Sequence, residues 1–350
     1  MQKIYSDRRF MFFYLNTGNG HIAQARVLKD AMLEYDPSIQ VKLQNGFSEK
    51  EHISHKLLEK LYGFSCNYLH GAWPIIYGLG HYHFFQKLIR YSVTFQNLGQ
   101  LKKLIRKNKI TDIVSFHFML SPSICDAIKS LDKNIRLTVI ATDPFTGPEA
   151  WFFNRNLDYI VFSEEFRNFG INLGVKPENI RVMPFLLNKK YRTVVSETEK
   201  IALRKKYGFD ERKKLVLLAG GGEGLPGTLK IYAKAHRLDL HIFGFVDFMD
   251  SLIKMSDLVV SKAGTSTLLE IISLRKPVII NTYIHGQELG NMRFIVRNGA
   301  GFFIRHSADI FRKINEIFSS EESYNFCINK TRGLSIDTDV AKIVKYLLEK

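Results

Sequence analysis

The chain has few cysteines, and it lacks both a long apolar run and a secretory signal. Its three cysteines, Cys66, Cys125 and Cys327, lie far apart without a C-x-x-C pair, so neither a disulfide framework nor a zinc site is expected. This usage is typical of a reducing cytosol. No uncharged apolar run of about 18 residues is present, and no transmembrane helix is predicted. The opening segment, MQKIYSDRRF, contains no apolar region followed by a cleavage site.

Acidic residues are also scarce, because 34 aspartates and glutamates face 50 lysines and arginines, which gives a net charge of +16. Nucleic acid and anionic lipid surfaces both attract basic proteins, and a lysine-rich proteome gives the same balance. No recognition-helix, RNP or zinc-finger pattern is present, so a nucleic-acid partner is not expected. A length of 350 residues with 45% hydrophobic residues predicts one or two α/β domains.

The densest group of polar candidates lies in residues 257–291. An apolar run at 258–260 predicts a buried strand, and a hydroxyl-rich turn then leads into a helix. Gly264 lets an anion approach the amides at the helix start, which the helix dipole favours. Serine and threonine at a helix start cap free amides. The candidates in this turn are Lys262, Gly264, Thr265, Ser266 and Thr267.

Further polar residues follow in the same segment. Glu270, about one turn inside the helix, is placed to accept hydrogen bonds from ribose hydroxyls. A second polar turn carries Gln287 and Glu288, with Asn291 on the helix that it starts. Two such turns after neighbouring parallel strands offer groups for a phosphate, a ribose and a second polyol, which fits a nucleotide-sugar. Two ordinary capped turns explain the same pattern.

Two glycine turns precede this segment. Successive glycines after a predicted strand at 215–219 let backbone amides line a concavity. A Gly-Phe turn follows another predicted strand at 239–243. The candidate residues in the two turns are Gly220, Gly221, Gly222, Phe243, Gly244 and Phe245.

The first half of the chain offers two candidates for proton chemistry. His21 stands at a helix start after a glycine turn, where an imidazole is exposed to a cleft and can take a proton near neutral pH; a polar helix-start residue is the other interpretation. Asp143 leaves the predicted strand at 136–141. It is able to orient a base or an acceptor hydroxyl, or to form the turn before Pro144.

Residues 52–95 are rich in aromatic and basic side chains, and a stripe at helical spacing predicts an amphipathic helix. Aromatic rings with interleaved cations suit a membrane interface. A core helix with a solvated basic face explains the same pattern. The candidate membrane contacts are Trp73, Tyr77, Tyr82, Phe84, Phe85 and Arg90.

Several of these motifs together resemble the nucleotide-sugar signature of glycosyltransferase family 28, whose members include enzymes that glycosylate diacylglycerol. The matching positions are Lys262-Ala263-Gly264, Thr267, Glu270, Pro277, Gly286-Gln287-Glu288 and Asn291. The resemblance implies an α/β fold of the GT-B type, with two Rossmann-like doubly wound domains facing across a cleft. Residues 1–187 would form the lipid-acceptor and membrane-facing domain and 188–335 the UDP-sugar domain, and the helix in 336–350 would cross back to the first domain.

The resemblance also implies a reaction and its partners. A UDP-hexose would serve as co-substrate without a cofactor or metal, and the hexose would pass with inversion to diacylglycerol on the cytoplasmic face of the membrane, near anionic lipid. His21 would be the acceptor-activating base, and Asp143 and Trp151 would lie on the acceptor loop. Gly220–Gly222 would face the diphosphate and Gly244-Phe245 the base, and Glu270 would bind ribose. Gln287 and Glu288 would bind sugar hydroxyls, supported by Asn291.

The chain departs from this family in one respect. Only one helical stretch separates Gly224 from the Gly-Phe turn, so the second domain is expected to be one βα unit short. Three other functions stay open at this point: transfer to a peptidoglycan lipid intermediate, UDP-sugar 2-epimerisation, and binding of lipid or nucleotide without catalysis.

Overall fold

The computed structural model describes residues 5, 7–15, 20–46, 98–131, 134–220, 241–334 and 336–350. By their contacts the residues divide into two compact units. The first contains Met1–Leu186, His285–Gln287 and Asp337–Lys350, and the second contains Leu187–Ile284 and Glu288–Ile336.

The first unit is built on a parallel six-stranded sheet in the order β2-β1-β3-β4-β5-β6. The strands are β1 (Arg9–Tyr14), β2 (Gln40–Asn45), β3 (Asp112–Ser115), β4 (Arg136–Ile140), β5 (Asp158–Val161) and β6 (Ile180–Val182). The helices that follow them are α1 (Gly20–Tyr35), α2 (residues 98–107), α3 (Ser121–Leu131) and α4 (Glu164–Asn172). The central strands are apolar and buried, as expected of a parallel sheet covered on both faces.

The strand order reverses direction at β1. The chain passes from β1 to β2 on one side and returns to form β3 on the other side of β1. In open α/β sheets, ligands bind outside the carboxyl ends of the strands at such a reversal. The loops after β1 and β3 are therefore the natural place for a site in this unit.

The second unit contains a parallel four-stranded sheet, within the described residues, in the order β10-β9-β8-β7. Its strands are β7 (Val216–Ala219), β8 (Leu258–Lys262), β9 (Val278–Thr282) and β10 (Gly301–Phe303). Its helices are α5 (Glu197–Lys206), α6 (Met249–Met255), α7 (Thr265–Ser273), α8 (Leu289–Arg297), α9 (Ser307–Ile317) and α10 (Glu321–Gly333). None of the helices in the described part of the chain is long and apolar enough to cross a membrane.

The last helix, α11 (Ala341–Glu349), belongs to the first unit. Its apolar side chains are buried, and Arg8 fixes its end by donating to the carbonyls of Leu347 and Leu348 at 2.8 and 3.1 Å. The same guanidinium is paired with Asp112 at the start of β3, at 2.7 Å. One charged group therefore joins the helix to the sheet.

The predicted strand at 239–243 is wrong over its described part, because residues 241–243 are in no strand. Aromatic contacts hold this segment instead of sheet pairing. His241 packs against Phe209 with ring centroids 4.5 Å apart, and Phe243 contacts Phe248 edge-on at 5.7 Å. Phe209 and Phe248 lie outside helices and strands, so residues 241–243 pack against loop residues and form no strand beside β7.

Asp257, which directly precedes β8, is the centre of a buried charged cluster in the second unit. Its Oδ1 and Oδ2 lie 2.7 Å from Lys200 Nζ and Arg204 Nη2, and the amide of Leu215 donates to Oδ2 at 2.7 Å. Burial acts to raise the pKa of Asp257, but the bonds from Lys200 and Leu215 bring it below its ordinary value. The cluster ties α5 to the starts of β7 and β8.

We expect Asp257→Asn to destabilise the second unit by about 3–5 kcal/mol, because two buried cations lose their counter-charge. Thermal unfolding followed by circular dichroism measures the effect. The control is Asp309→Asn, which removes the exposed partner of Arg312 and should change the free energy of unfolding by less than about 1 kcal/mol. Similar small effects of both substitutions would contradict a stabilising role for the cluster.

Candidate functional site

Three loops of the first unit meet at the carboxyl edge of its sheet, after β1, β3 and β4. These strands are adjacent and parallel, so residues far apart in sequence come together there. His21 Nδ1 lies 2.8 Å from Thr142 Oγ1, and the rings of His21 and His117 are 4.6 Å apart. Asp143 follows Thr142 directly in the third loop.

His21 lies in the first turn of α1 and is only 8% exposed, so the prediction of an imidazole exposed to a cleft is wrong. The residues after β3 and β4 pack against it and exclude water. Burial lowers the pKa of His21 to about 4, and a hydrogen bond with the backbone of Phe116 opposes the shift. The ring is therefore neutral at pH 7 and able to accept a proton.

His117 is a second buried histidine of this edge, and no sequence motif marks it. Its Nδ1 accepts the amide of Met119 at 3.2 Å, which places the proton of the neutral ring on Nε2. Burial, with a smaller contribution from the charge of His21, lowers its pKa well below the ordinary value. The sequence signal that points to it is its position shortly after the apolar residues Ile113 and Val114 of β3. The described residues contain no group of three or more His, Cys, Asp or Glu able to hold a metal.

Asp143 is buried, and both of its carboxylate oxygens accept hydrogen bonds. Trp151 Nε1 donates to Oδ2 at 2.8 Å, and Gln287 Nε2, in the same unit by its contacts, donates to Oδ1 at 3.1 Å. A Cβ at Gly147 would lie 3.1 Å from Asp143 Oδ2, so a larger residue there would press against the carboxylate. The carboxylate is held in one orientation.

The predicted membrane and acceptor contacts are not brought together by the described residues. Trp151 is 0% exposed and belongs to the core with Phe152, Tyr159 and Phe166. The assignment of Trp151 to the membrane and acceptor contacts is therefore wrong as a direct contact, because its ring is packed in the core and its indole N–H donates to Asp143. The other candidates, Trp73, Tyr77, Tyr82, Phe84, Phe85 and Arg90, lie outside the described residues.

In the second unit, the turn between β8 and α7 lies at the carboxyl edge of the sheet. Gly264 is the N-cap of α7, and no side chain caps this helix. The predicted capping by Thr265, Ser266 and Thr267 is wrong, because these residues lie inside the helix. The first intrahelical bond runs from the Leu268 amide to the Gly264 carbonyl at 3.0 Å. The three amides before it have no intrahelical acceptor and can bind an anion.

Glu270 lies one turn further along α7, beside the short helix Lys189–Tyr191. Burial raises its pKa to about 7, while the charge of Lys190 and a hydrogen bond with Tyr191 oppose the shift. At pH 7 the carboxyl is therefore present in both forms, and it ionises as the pH rises.

The second polar turn is bonded to the first. Glu288 Oε1 lies 3.1 Å from Lys262 Nζ, and Glu288 Oε2 accepts the amide of Ile284 at 2.9 Å. Asn291 Nδ2 donates to the carbonyl of Ala263 at 2.9 Å, while its buried Oδ1 has no hydrogen-bond partner among the described residues. Each oxygen of Glu288 thus has one partner within the turn, and Asn291 Oδ1 keeps its acceptor capacity.

The two glycine turns are placed differently. Gly220 directly follows β7, which pairs with β8, so it lies at the same edge as the turn before α7. Phe243, Gly244 and Phe245 lie in the irregular segment 241–248, where the Phe245 side chain is 83% exposed. Two further candidates, Gly221 and Gly222, lie outside the described residues.

Two family models match the chain in succession. The model of monogalactosyldiacylglycerol (MGDG) synthase matches residues 21–184, and that of the glycosyltransferase family 28 C-terminal domain matches residues 187–335. The chain is 24% identical over 357 aligned positions to the probable MGDG synthase of Nicotiana tabacum, with 90% of the chain and 65% of the relative covered. It is 25% identical over 353 aligned positions to the MGDG synthase of Spinacia oleracea, with 89% of the chain and 66% of that relative covered. The chain thus spans about two thirds of these relatives.

Solved structures agree on the fold. MurG of Acinetobacter baumannii superposes with a TM-score of 0.62 at 11% identity, covering 98% of the chain and 100% of MurG. HepE of Anabaena, in complex with UDP and glucose, gives 0.58 at 15% identity and covers 98% of each chain. The UDP-GlcNAc 2-epimerase of Neisseria meningitidis gives a TM-score of 0.59 at 13% identity and covers 98% of the chain and 100% of the epimerase. These likenesses show a GT-B fold. The two family models, which match residues 21–184 and 187–335, show that the chain belongs to glycosyltransferase family 28.

Proposed function

We propose that the chain transfers a hexose from a UDP-hexose to diacylglycerol, as a peripheral enzyme on the cytoplasmic face of the cell membrane. The observation that carries the proposal is the match of residues 21–184, which include His21 and Asp143, to the MGDG synthase model. The named relatives are MGDG synthases. The net charge of +16 supports attraction to anionic lipid.

The second unit would hold the donor. The free amides at the start of α7 and the ammonium of Lys262 suit a diphosphate, because both carry positive charge toward the same turn. Glu270 lies one turn further along α7 and would accept hydrogen bonds from the ribose hydroxyls. The Gly220 turn and the Phe243–Phe245 segment would face the diphosphate and the base, and Asn291 would bind the hexose. Gln287, which the sequence also assigned to the hexose, belongs to the first unit, where its Nε2 donates to Asp143.

The first unit would activate the acceptor. Neutral His21 would take the proton of the diacylglycerol hydroxyl as its oxygen attacks the anomeric carbon. The bond from that carbon to the diphosphate oxygen breaks, and UDP leaves. Such a single displacement inverts the anomeric configuration. The departing charge would be stabilised by the α7 amides, which are fixed before reaction.

A glycolipid product would identify the reaction. Incubation with diacylglycerol in phosphatidylglycerol vesicles and each radiolabelled UDP-hexose should give a labelled glycolipid on thin-layer chromatography. His21→Asn should lower its formation by about 100-fold or more, because the base is lost, and should leave UDP-hexose affinity unchanged. Release of free sugar without glycolipid would indicate an epimerase, and binding without turnover would indicate a non-catalytic protein; either result contradicts the proposal.

The ionisation state of Glu270 should control donor affinity. Its pKa is raised to about 7, so the ionised form that accepts ribose hydroxyls is lost as the pH falls below 7. Calorimetry should show UDP-hexose affinity falling about tenfold per pH unit below this value, whereas Glu270→Gln should bind about 10- to 100-fold more weakly at pH 8 and vary little with pH. The exposed substitution Glu322→Gln is the control. Unchanged affinity of Glu270→Gln would contradict the ribose assignment.

The protonation of His21 should set the pH dependence of acceptor use. Because burial lowers the pKa of His21 to about 4, the neutral base persists well below the ordinary histidine range. At saturating UDP-hexose, kcat/KM for diacylglycerol should keep its value down to about pH 5 and fall toward pH 4. A decline centred near pH 6.5 would indicate a solvated base and would exclude His21 as placed here.

A further inference from the structure

Each oxygen of the Glu288 carboxylate already accepts a bond from a protein group. One oxygen is paired with Lys262 Nζ at 3.1 Å, and the other accepts the amide of Ile284 at 2.9 Å. The amide of Glu288 in turn donates to the carbonyl of Ile284 at 2.9 Å, which closes a small ring. The side chain is 8% exposed, so the carboxylate is part of the turn.

Lys262 is held over the N-cap of α7. A Cβ at Gly264 would lie 3.1 Å from Lys262 Cε and 3.6 Å from Glu288 Oε1, so the lysine side chain passes close to the N-cap and a larger residue there would displace it slightly. An ammonium group has three donors, and the bond to Glu288 uses one. Lys262 remains 24% exposed. A phosphate oxygen at the helix start can therefore reach its remaining donors.

Asn291 holds the same turn from the other side. Its Nδ2 donates to the carbonyl of Ala263 at 2.9 Å and to Thr265 Oγ1 at 3.0 Å. The first turn of α8 is thus bonded to the residues on both sides of Gly264, through Glu288 to Lys262 and through Asn291 to Ala263 and Thr265. The turn and the lysine are fixed as one unit.

We propose that Glu288 is a positioning residue, which fixes the ammonium of Lys262 at the start of α7 for a nucleoside diphosphate and does not contact the sugar. This inference rests on the proposed UDP-hexose function. A free lysine side chain has many rotamers, and restricting them before binding lowers the entropic cost of holding the phosphate.

Binding of UDP and of UDP-hexose, each measured by calorimetry on the full chain, separates positioning from sugar contact. Glu288→Gln should weaken both ligands by the same factor, so the ratio of their Kd values should stay at the wild-type value. Lys262→Met should weaken both by about tenfold, the effect of losing a charged contact. The double variant should bind like Lys262→Met alone, because Glu288 acts through the lysine.

A loss confined to UDP-hexose in Glu288→Gln would show a sugar contact, and unchanged binding of both ligands would show no role; each overturns the inference while leaving the donor site in place. Failure of the wild-type chain to bind either ligand would instead overturn the proposed function. If Glu288→Gln unfolds, Lys262→Met decides alone. Equal loss of both ligands supports the inference, and unequal or no loss overturns it.

Discussion

Parallel hydrogen bonding between β1, β3 and β4 forces the carboxyl ends of these strands to one edge of the first sheet. The segments that follow these strands start at this common edge. His21, His117 and Thr142 therefore meet there, although about a hundred positions separate His21 from His117. The same pairing of β7 with β8 and of β8 with β9 sets the polar turns of the second unit side by side. Backbone pairing, and not sequence proximity, places the candidate groups.

Local pattern was sufficient for the parts of the fold that depend on local sequence. The strand at 258–260, the helix after Gly264 and the apolar run of β1 follow from hydrophobicity and turn residues alone. Contacts between residues far apart in sequence could not be predicted from local pattern. The role of His117 depends on the pairing of β3 with β1, and the burial of Trp151 depends on the core around β4 and β5. The pair Lys262–Glu288 spans 26 positions between two turns, and no residue pattern announces it.

Burial has different consequences for three titratable groups, and their partners decide which. His21 and Glu270 have mostly neutral or weak partners, so loss of water favours the uncharged form and moves their pKa values to about 4 and about 7. Asp257 is buried as well, yet it stays charged because two cations and an amide bind its oxygens. Burial together with charged partners keeps Asp257 ionised, whereas burial that its partners do not offset shifts the pKa values of His21 and Glu270 toward their neutral forms.

If Glu288 positions Lys262 as proposed, fewer side chains of the proposed donor site can distinguish one hexose from another. Diphosphate and ribose are common to all UDP-sugars, and the residues proposed for them are bonded into a fixed turn. Glucose and galactose differ only in the direction of one hydroxyl, so discrimination must come from side chains that face the sugar. Of the residues proposed for the hexose, Asn291 belongs to the second unit, and its Oδ1 is a buried acceptor without a partner among the described residues. An unsatisfied buried acceptor rewards a correctly placed hydroxyl and penalises its absence, which makes this oxygen the strongest candidate for reading the sugar.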